Sequence, residues 1–228
     1  TGITPAISQA TAGAALAAVQ TASRIGLTVS CDLNFRKKLW NWQPGTDTVD
    51  LARDTMRGLM PYIDVVIANE EDCDLCLGIQ AEETDVEAGH LNVDAYQSVA
   101  RKIVTEFSNV STVAITLRES FSASHNNWGA MLLDTASDTA HFAPLNPNGD
   151  YQAYEMHNIV DRVGAGDSFA GGLIFAMTTP ELSEPETALR YATAASCLKH
   201  SIKGDFSYAQ RPEIESLMGG STSGRVSR

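Results

Sequence analysis

The segment Asp161–Met177 reads DRVGAGDSFAGGLIFAM and places small residues and an aspartate directly before an apolar helical pattern. Gly164, Ala165 and Gly166 carry little or no side chain, so their N–H groups can approach an anion at the helix N-terminus, where the helix dipole adds to the attraction. Asp167 follows in the first turn, where a carboxylate is a poor phosphate ligand but can take a proton from an attacking hydroxyl. The segment therefore indicates a phosphate site beside a general base, with a capping aspartate after a flexible turn as the alternative.

Two better-known phosphate-binding motifs do not fit this segment. A P-loop ends in Gly-Lys-Ser/Thr, and no lysine follows Gly166. A dinucleotide fingerprint requires a third glycine where this chain has Phe169, although Gly171 and Gly172 lie close. A Rossmann-type oxidoreductase is therefore disfavoured.

The composition restricts the class of partner and the compartment. A net charge of -12 and a pI of about 4.7 argue against nucleic acid or an anionic membrane as the main partner. No apolar run reaches the roughly 18 residues of a membrane span. Four cysteines show no disulfide framework, and the pair Cys73 and Cys76 lacks a second pair at zinc spacing. Reduced thiols are therefore favoured over metal or redox chemistry, which indicates a cytoplasmic protein.

Helical and strand patterns alternate along the chain, which predicts an α/β fold with a parallel sheet and helices on both faces. Helices are predicted at 6–24, 47–60, 70–77, 94–107, 166–177 and 184–200. Buried strands are predicted at 26–34, 64–69 and 112–117, and a hairpin of exposed strands at 128–133 and 139–142. A surface loop is expected at 80–90 and a flexible tail at 218–228.

Polar residues follow each of the three predicted parallel strands. These strand ends are residues 32–36, 69–72 and 116–119. Ligands of open α/β sheets bind outside the carboxyl ends of the strands, so these residues are candidates for a site. Strand ends are often polar in any case, which is the alternative explanation.

The pattern D-x-x-G-A-G-D-x-F-x-x-G at 161–172 resembles the C-terminal signature of the ribokinase-like (PfkB) carbohydrate kinases. CDLNFRKKLW at 31–40 resembles their D-x-N-x-R segment, ANEED at 68–72 their N-x-x-E motif, and TLRES at 116–120 lies where they have a nucleotide-binding T-L-G. With KGDF at 203–206, these segments are most similar to the branch that acts on 2-keto-3-deoxygluconate. The resemblance runs from Thr1 to the C-terminus and implies a ribokinase-like three-layer sandwich with a mostly parallel sheet.

The resemblance implies a role for each candidate site residue. Asp167 would be the catalytic base, with the N–H groups of Gly164, Ala165 and Gly166 forming the anion hole. Substrate-side residues would be Asp167 again, together with Arg36, near the substrate and the transferred phosphate, and Asp205, near the sugar hydroxyls. Nucleotide-side residues would be Asn34, Asn69, Thr116 and Arg118, together with Gly164 and Gly166.

Two departures from the family pattern affect the metal and the nucleotide. The N-x-x-E glutamate is replaced by Asp72, so either Asp72 or Glu71 would organise Mg²⁺ through water. The T-L-G glycine is replaced by Arg118, so a charged contact there would take the place of a backbone contact.

The family's N-terminal part, its β-sheet lid and its glycine-rich sugar motif are not recognisable in this sequence. We therefore expect residues 1–228 to be a single α/β nucleotide-binding and catalytic portion, slow or inactive alone and a homo-oligomer when full length. The expected reaction is transfer of the γ-phosphoryl of ATP, with Mg²⁺, to the terminal hydroxyl of 2-keto-3-deoxygluconate. The alternatives are a kinase for fructose or another sugar, or a non-catalytic nucleotide-binding module.

Overall fold

The computed structural model of the protein describes residues 1–80, 93–122 and 124–220. The predicted loop at 80–90 and tail at 218–228 lie outside this part, apart from residues 80 and 218–220. Two compact units are present, the first formed by Thr1–Thr116 and Leu133–Ala140, the second by Leu117–Leu132 and His141–Arg228.

The first unit alternates helices with parallel strands. Its helices are α1 (Ile3–Ala6), α2 (Gln9–Arg24), α3 (Thr48–Leu59), α4 (Glu70–Leu77) and α5 (Val93–Glu106), with a 3-10 turn at Met60–Tyr62. Its strands are β1 (Ser30–Asp32), β2 (Val65–Ala68) and the start of β3 (Thr112–Ser120). All three run parallel, with Cys31 opposite Val66 and Val66 opposite Val113. Because β2 is buried throughout, its sequence is a continuous apolar run rather than an alternating one.

The first 24 residues correct one prediction. The helix expected at 6–24 is two helices, because Ser8 begins a new one with a capping box. Its hydroxyl accepts the N–H of Thr11 at 3.2 Å, and the Thr11 hydroxyl accepts the N–H of Ser8 at 3.0 Å. The helix start predicted at 46 or 47 and the helix end predicted at 78 are confirmed, since Asp47 caps α3 and Gly78 ends α4 at φ +72°.

The second unit combines antiparallel strands with two long helices. It contains the end of β3, most of β4 (His125–Asp134), part of β5 (Thr139–Ala143), β6 (Tyr154–His157), α6 (Ala165–Met177), α7 (Pro185–Lys199), α8 (Arg211–Met218) and a 3-10 turn at Pro180–Leu182. β4 pairs antiparallel with β6, with His125 opposite His157. The strand order in the sheet is β1-β2-β3-β4-β5, with β6 joined to β4.

The predicted hairpin is present, but the exposure predicted for it is wrong. From Ala130 to Leu133 the strand β4 is at most 1% exposed. An uninterrupted apolar run is typical of a strand covered on both faces, which is the signal that the prediction overlooked. Strand β6 and helix α8 were not predicted.

The predicted α/β class with a parallel sheet is confirmed. Within the part of the chain that the structure describes, no helix is both long and apolar enough to cross a lipid bilayer.

Candidate active site

The turn that precedes α6 has a backbone that only glycine can adopt without strain. Gly164 is the N-cap of this helix and has φ +79° and ψ 0°. A Cβ atom at Gly164 would lie 2.0 Å from the carbonyl oxygen of Asp205, which is an impossible contact. The glycine is thus required both for its left-handed conformation and for close approach of another chain segment. The structure brings the backbone of Asp205 to this turn.

The N-terminus of α6 is open toward solvent. Gly164 has no side chain to cap it, and Gly166 and Asp167 are both exposed. A Cβ atom at Gly166 would meet nothing within 4 Å of it among the described residues. The first N–H groups of a helix have no acceptor within the helix, so this end is suited to an anion. Asp167 lies in the first turn, as predicted.

Asp161 holds the approach to this turn. Its two carboxylate oxygens accept the N–H of Val163 at 3.0 Å and the N–H of Gly204 at 2.9 Å. These hydrogen bonds are the main causes that lower the pKa of Asp161. Asp161 is the first residue of the signature pattern, and no role was predicted for it. Its position at the start of that pattern was the signal that could have identified it.

Arg162, the next residue, ties the same segment to β4. Its guanidinium donates to the side-chain oxygen of Asn126 at 2.8 Å and to the carbonyl of Ser122 at 2.6 Å. Asn126 is fully buried. The turn is therefore held from the strand side as well, by a contact that no sequence pattern indicated.

Helix α6 is held tightly against α7. The hydroxyl of Ser196 donates to the carbonyl of Ala165 at 2.7 Å, and that of Ser168 donates to the carbonyl of Ala195 at 3.2 Å. A Cβ at Gly172 would lie 3.2 Å from the Cα of Ala192, which leaves no space for a larger residue without movement. Small residues and the two serine hydroxyls thus fix the position of the helix that carries the turn.

His200, at the end of α7, is buried beside the indole ring of Trp128, with ring centroids 5.0 Å apart. Its carbonyl accepts the N–H groups of Val160 and Asp161 at 2.9 and 3.2 Å. Its Nδ1 lies 2.8 Å from the carbonyl of Ser196, a geometry that places the ring proton on Nδ1. Burial lowers the pKa of His200, so the ring is neutral at pH 7.

In the first unit, the segment after β1 is linked to the start of α4. Asp72 is 7% exposed, and its carboxylate accepts the N–H of Phe35 at 3.0 Å. The N–H of Asp72 donates to the side-chain oxygen of Asn69, the N-cap of α4, at 2.7 Å. Burial raises the pKa of Asp72, and hydrogen bonds to its carboxylate from the backbones of Phe35 and Asn69 and the charge of Arg36 oppose that rise.

Asn34 is the most unusual residue of this group. It has φ +40° and is 8% exposed. Its side-chain oxygen is buried and accepts no hydrogen bond from the described residues. An unpartnered buried acceptor next to strained backbone is costly, so such positions are typical of sites that are completed by a ligand.

The other predicted residues of the first unit are more exposed. Arg36 donates to the carbonyl of Phe35 at 2.9 Å, and its side chain is exposed to solvent. Glu71 is exposed, in contrast to its buried neighbour Asp72. Among the described residues, no three His, Cys, Asp or Glu side chains form a group that could hold a metal ion directly. Either acid can still contact a hydrated cation, as the water-mediated role predicted.

Thr116 and Arg118 lie on β3, where the chain passes from one unit to the other. Thr116 is half-buried in the first unit and Arg118 is exposed in the second. The structure thus brings Gly164, Ala165, Gly166, Asp167 and Asp205 together in one unit and Asn34, Arg36, Asn69, Glu71 and Asp72 together in the other.

The two cysteines at C-x-x-C spacing are core residues. Cys73 and Cys76 are fully buried on α4, and both are free thiols. Burial raises the pKa of each thiol, which keeps both protonated and unreactive. The geometry agrees with the prediction of ordinary reduced thiols.

Comparison with known proteins finds a family profile that matches part of this chain. Residues 141–207 match the sequence profile described as pfkB family carbohydrate kinase, and this match includes the turn and both helices, α6 and α7. A 2-dehydro-3-deoxygalactonokinase of Haloferax volcanii is 29% identical over 223 residues, which cover 98% of this chain and 57% of that protein.

Solved structures are similar as well. The crystal structure of 2-dehydro-3-deoxygluconokinase from Thermotoga maritima is 42% identical with a TM-score of 0.74, covering 90% of this chain and 54% of that one. A fructokinase from Vibrio cholerae, solved with fructose, ADP and a potassium ion, has a TM-score of 0.64 at 19% identity, covers 94% of this chain and 57% of that one, and shows a shared fold only. The chain spans about half the length of the relatives that it matches.

Proposed function

We propose that this chain is part of a carbohydrate kinase of the PfkB family and carries the phosphoryl-transfer turn of a sugar-acid kinase. The reaction is transfer of the γ-phosphoryl of ATP to the terminal hydroxyl of 2-keto-3-deoxygluconate. One observation carries the proposal: the helix N-terminus at Gly164–Asp167 is open, uncapped and built so that only glycine fits at its first position.

In the proposed reaction, Asp167 takes the proton of the attacking hydroxyl. General bases of this kind contribute about 10²–10⁴-fold to a rate. The N–H groups at the start of α6 stabilise the negative charge that develops on the transferred phosphoryl group. Because these donors belong to a helix held rigidly against α7, little reorganisation is required during transfer.

The substrate class is supported by the names of the relatives and by one side chain. Two relatives act on 2-keto-3-deoxy sugar acids according to their names, and the more similar of them is 42% identical. The exposed guanidinium of Arg36 can bind a carboxylate with two hydrogen bonds. The galactonate epimer, fructose and other sugars are the alternatives, and a substrate panel separates them.

The cofactors of the proposed reaction are ATP and Mg²⁺. A bound Mg²⁺ would supply charge neutralisation of the phosphates. Asp72 is held by Phe35 and Asn69 in a fixed orientation, and Glu71 is exposed beside it, so both fit a hydrated cation better than direct ligation. We also propose a homo-oligomer and a cytoplasmic location, with no role for nucleic acid or a membrane, since the charge of -12 disfavours both surfaces.

The proposal is tested by calorimetric titration of Mg·ATP into the chain and into its Gly166→Leu variant. The space around Gly166 is open, so the variant should fold normally while its side chain occupies the anion position. We expect saturable binding by the parent chain and at least about 10-fold weaker binding by the variant, because the N–H donors are no longer accessible. Gly171→Leu is the matched control, since Gly171 lies on the same helix with nothing within 4 Å of a Cβ, and it should bind as the parent does.

Equal binding by the parent and Gly166→Leu would contradict a phosphate site at this turn. Absence of binding by a chain that unfolds cooperatively would contradict the proposal for this chain alone, and a version extended to the length of its relatives would then be titrated. A non-catalytic nucleotide-binding module remains the second candidate because the chain spans about half of its relatives. It predicts binding without transfer even in that extended version.

A further inference from the structure

We propose that Lys199 is a positioning residue for the phosphate turn: its buried ammonium fixes the loop 200–205, and this loop in turn seats Gly164. The inference rests on the proposed function of the turn and adds a residue to it. No motif in the sequence pointed to Lys199.

Lys199 is the last residue of α7 and is fully buried, at 0% exposure. Its Nζ donates to the carbonyl of Ile202 at 2.9 Å. Among the described residues it forms no ion pair with a carboxylate within 4.0 Å. A lysine at a helix C-terminus is favourable for the helix dipole, but that effect is also available to an exposed side chain. Complete burial of an ammonium is costly, so a specific role for the charge is required.

The loop that Lys199 holds contacts the segment before α6 at two points. The N–H of Gly204 donates to the carboxylate of Asp161 at 2.9 Å. One residue later, the carbonyl of Asp205 fills the space that a side chain at Gly164 would need, 2.0 Å from the position of its Cβ. Displacement of this loop would therefore remove both the anchor of Asp161 and the surface against which Gly164 rests.

The charge of Lys199 also acts on Asp161 directly. After the hydrogen bonds from Val163 and Gly204, the positive charge of Lys199 is a further cause that lowers the pKa of Asp161. The ammonium and the carboxylate thus stabilise the same loop from both sides, one through Ile202 and the other through Gly204. The consequence is a turn whose position is fixed before an anion binds.

The test compares Lys199→Met with Lys203→Met. Methionine has a similar length and no charge, and Lys203 is an exposed lysine four residues later, so its variant loses the same charge without losing the contact. Amide hydrogen exchange is followed in 158–168 and 200–206 without nucleotide, with β4 as the internal reference. We expect faster exchange in both segments for Lys199→Met, unchanged exchange in β4 and parent-like exchange throughout for Lys203→Met. Mg·ATP affinity should fall at least about 10-fold for Lys199→Met only.

A second variant covers the case in which Lys199→Met destabilises the whole protein. Lys199→Ala leaves a cavity that methylammonium can enter. Amide exchange of this variant is measured in about 0.1 M methylammonium chloride and in sodium chloride at the same concentration. Restored protection in 158–168 with methylammonium alone supports a role for the buried charge. Restoration by both salts, or exchange that rises equally in β4, overturns the inference, since either result describes general stability.

The outcomes separate this inference from the proposed function. If the parent chain binds Mg·ATP and Lys199→Met binds it equally well with unchanged exchange, the inference is wrong and the function stands. If no chain binds nucleotide but Lys199→Met loosens both segments, Lys199 positions the turn and the proposed phosphate site is wrong for this chain. If neither binding nor exchange distinguishes the variants, the inference is overturned.

Discussion

The two groups of candidate residues are built by different means. In the second unit, the turn before α6 consists of backbone groups, small residues and a left-handed glycine, with Asp167 as its one exposed carboxylate. In the first unit, the segment after β1 depends on side chains, with a buried carboxylate at Asp72 and an unpartnered amide oxygen at Asn34. A site built of backbone N–H groups is blocked by almost any added side-chain atom. A site built of side chains keeps its shape when one of them is replaced by an isosteric residue.

This difference predicts different responses to mutation. Substitutions of the glycines at the turn should act through geometry, so their effects should be large and independent of pH, and loss of the base Asp167 should abolish proton transfer. Substitutions after β1 should act through charge and burial, so their effects should be smaller and depend on pH.

The largest effect is expected from Asp167→Asn, measured as phosphoryl transfer by a version extended to the length of its relatives. Loss of a general base should reduce transfer by about 10²–10⁴-fold, while Mg·ATP affinity is kept or increased because a negative charge near the phosphates is removed. Glu186→Gln is the matched control, since Glu186 is also a first-turn carboxylate of a helix, and it should transfer at the parent rate. Parent-like transfer by Asp167→Asn would eliminate Asp167 as the base.

The next effect is expected from Gly164→Ala, measured as the free energy of unfolding in urea. A left-handed backbone and a contact with Asp205 should together cost about 2–4 kcal/mol, through strain and displacement of the loop. Gly171→Ala on the same helix, with open space around its Cβ, should instead stabilise the protein by about 0.5–1 kcal/mol. Similar values for the two variants would show that the turn can rearrange, and the contrast between the two groups would fail.

The smallest effect is expected from Asp72→Asn, measured as unfolding free energy between pH 4 and pH 7. Asparagine keeps an oxygen that can accept the N–H of Phe35, so only the charge is removed. Because the pKa of Asp72 is raised in the folded state, its stabilising contribution is complete at low pH and is lost as the pH rises through the folded pKa. The variant should therefore gain stability relative to the parent as the pH rises.

Glu71→Gln controls for loss of charge at the adjacent exposed position. A flat difference between Asp72→Asn and the parent over this pH range would mean that Asp72 is solvated, and that its burial has no energetic consequence.

Much of the fold followed from periodicity and local chemistry. The caps at Asp47 and Gly78 and the buried strand at 65–68 were predictable because each depends on residues within one turn or one strand. The division at Ser8 was missed although its capping box is local, because the alanine-rich run masked it. Strand β6 was missed because it is short and pairs with β4, from which it is separated in sequence by β5.

The parts of the site that depend on residues close together in sequence were predictable, and the contacts between distant residues were not. The turn at 164–167 was located by small residues before a helix, and Asp205 was placed near it by family resemblance alone. The contacts of Arg162 with Asn126 and of Lys199 with Ile202 were not predicted. Nothing in a sequence distinguishes a buried lysine at a helix end from an exposed one, since its burial is decided by the loop that folds back over it.

The seam between α6 and α7 has a consequence for how natural variants would be interpreted. Gly172 lies two turns along the helix from the phosphate turn, and a methyl group there would require Ala192 to move by a few tenths of an ångström. A larger residue there would tilt or slide α6 and carry its N-terminus with it. Such a variant would lose activity although the substituted residue would contact neither nucleotide nor sugar. A screen for loss of activity alone would therefore misclassify it as an active-site substitution. The distance between α6 and α7 at Gly172 thus determines where the N-terminus of α6, with its N–H groups, is placed.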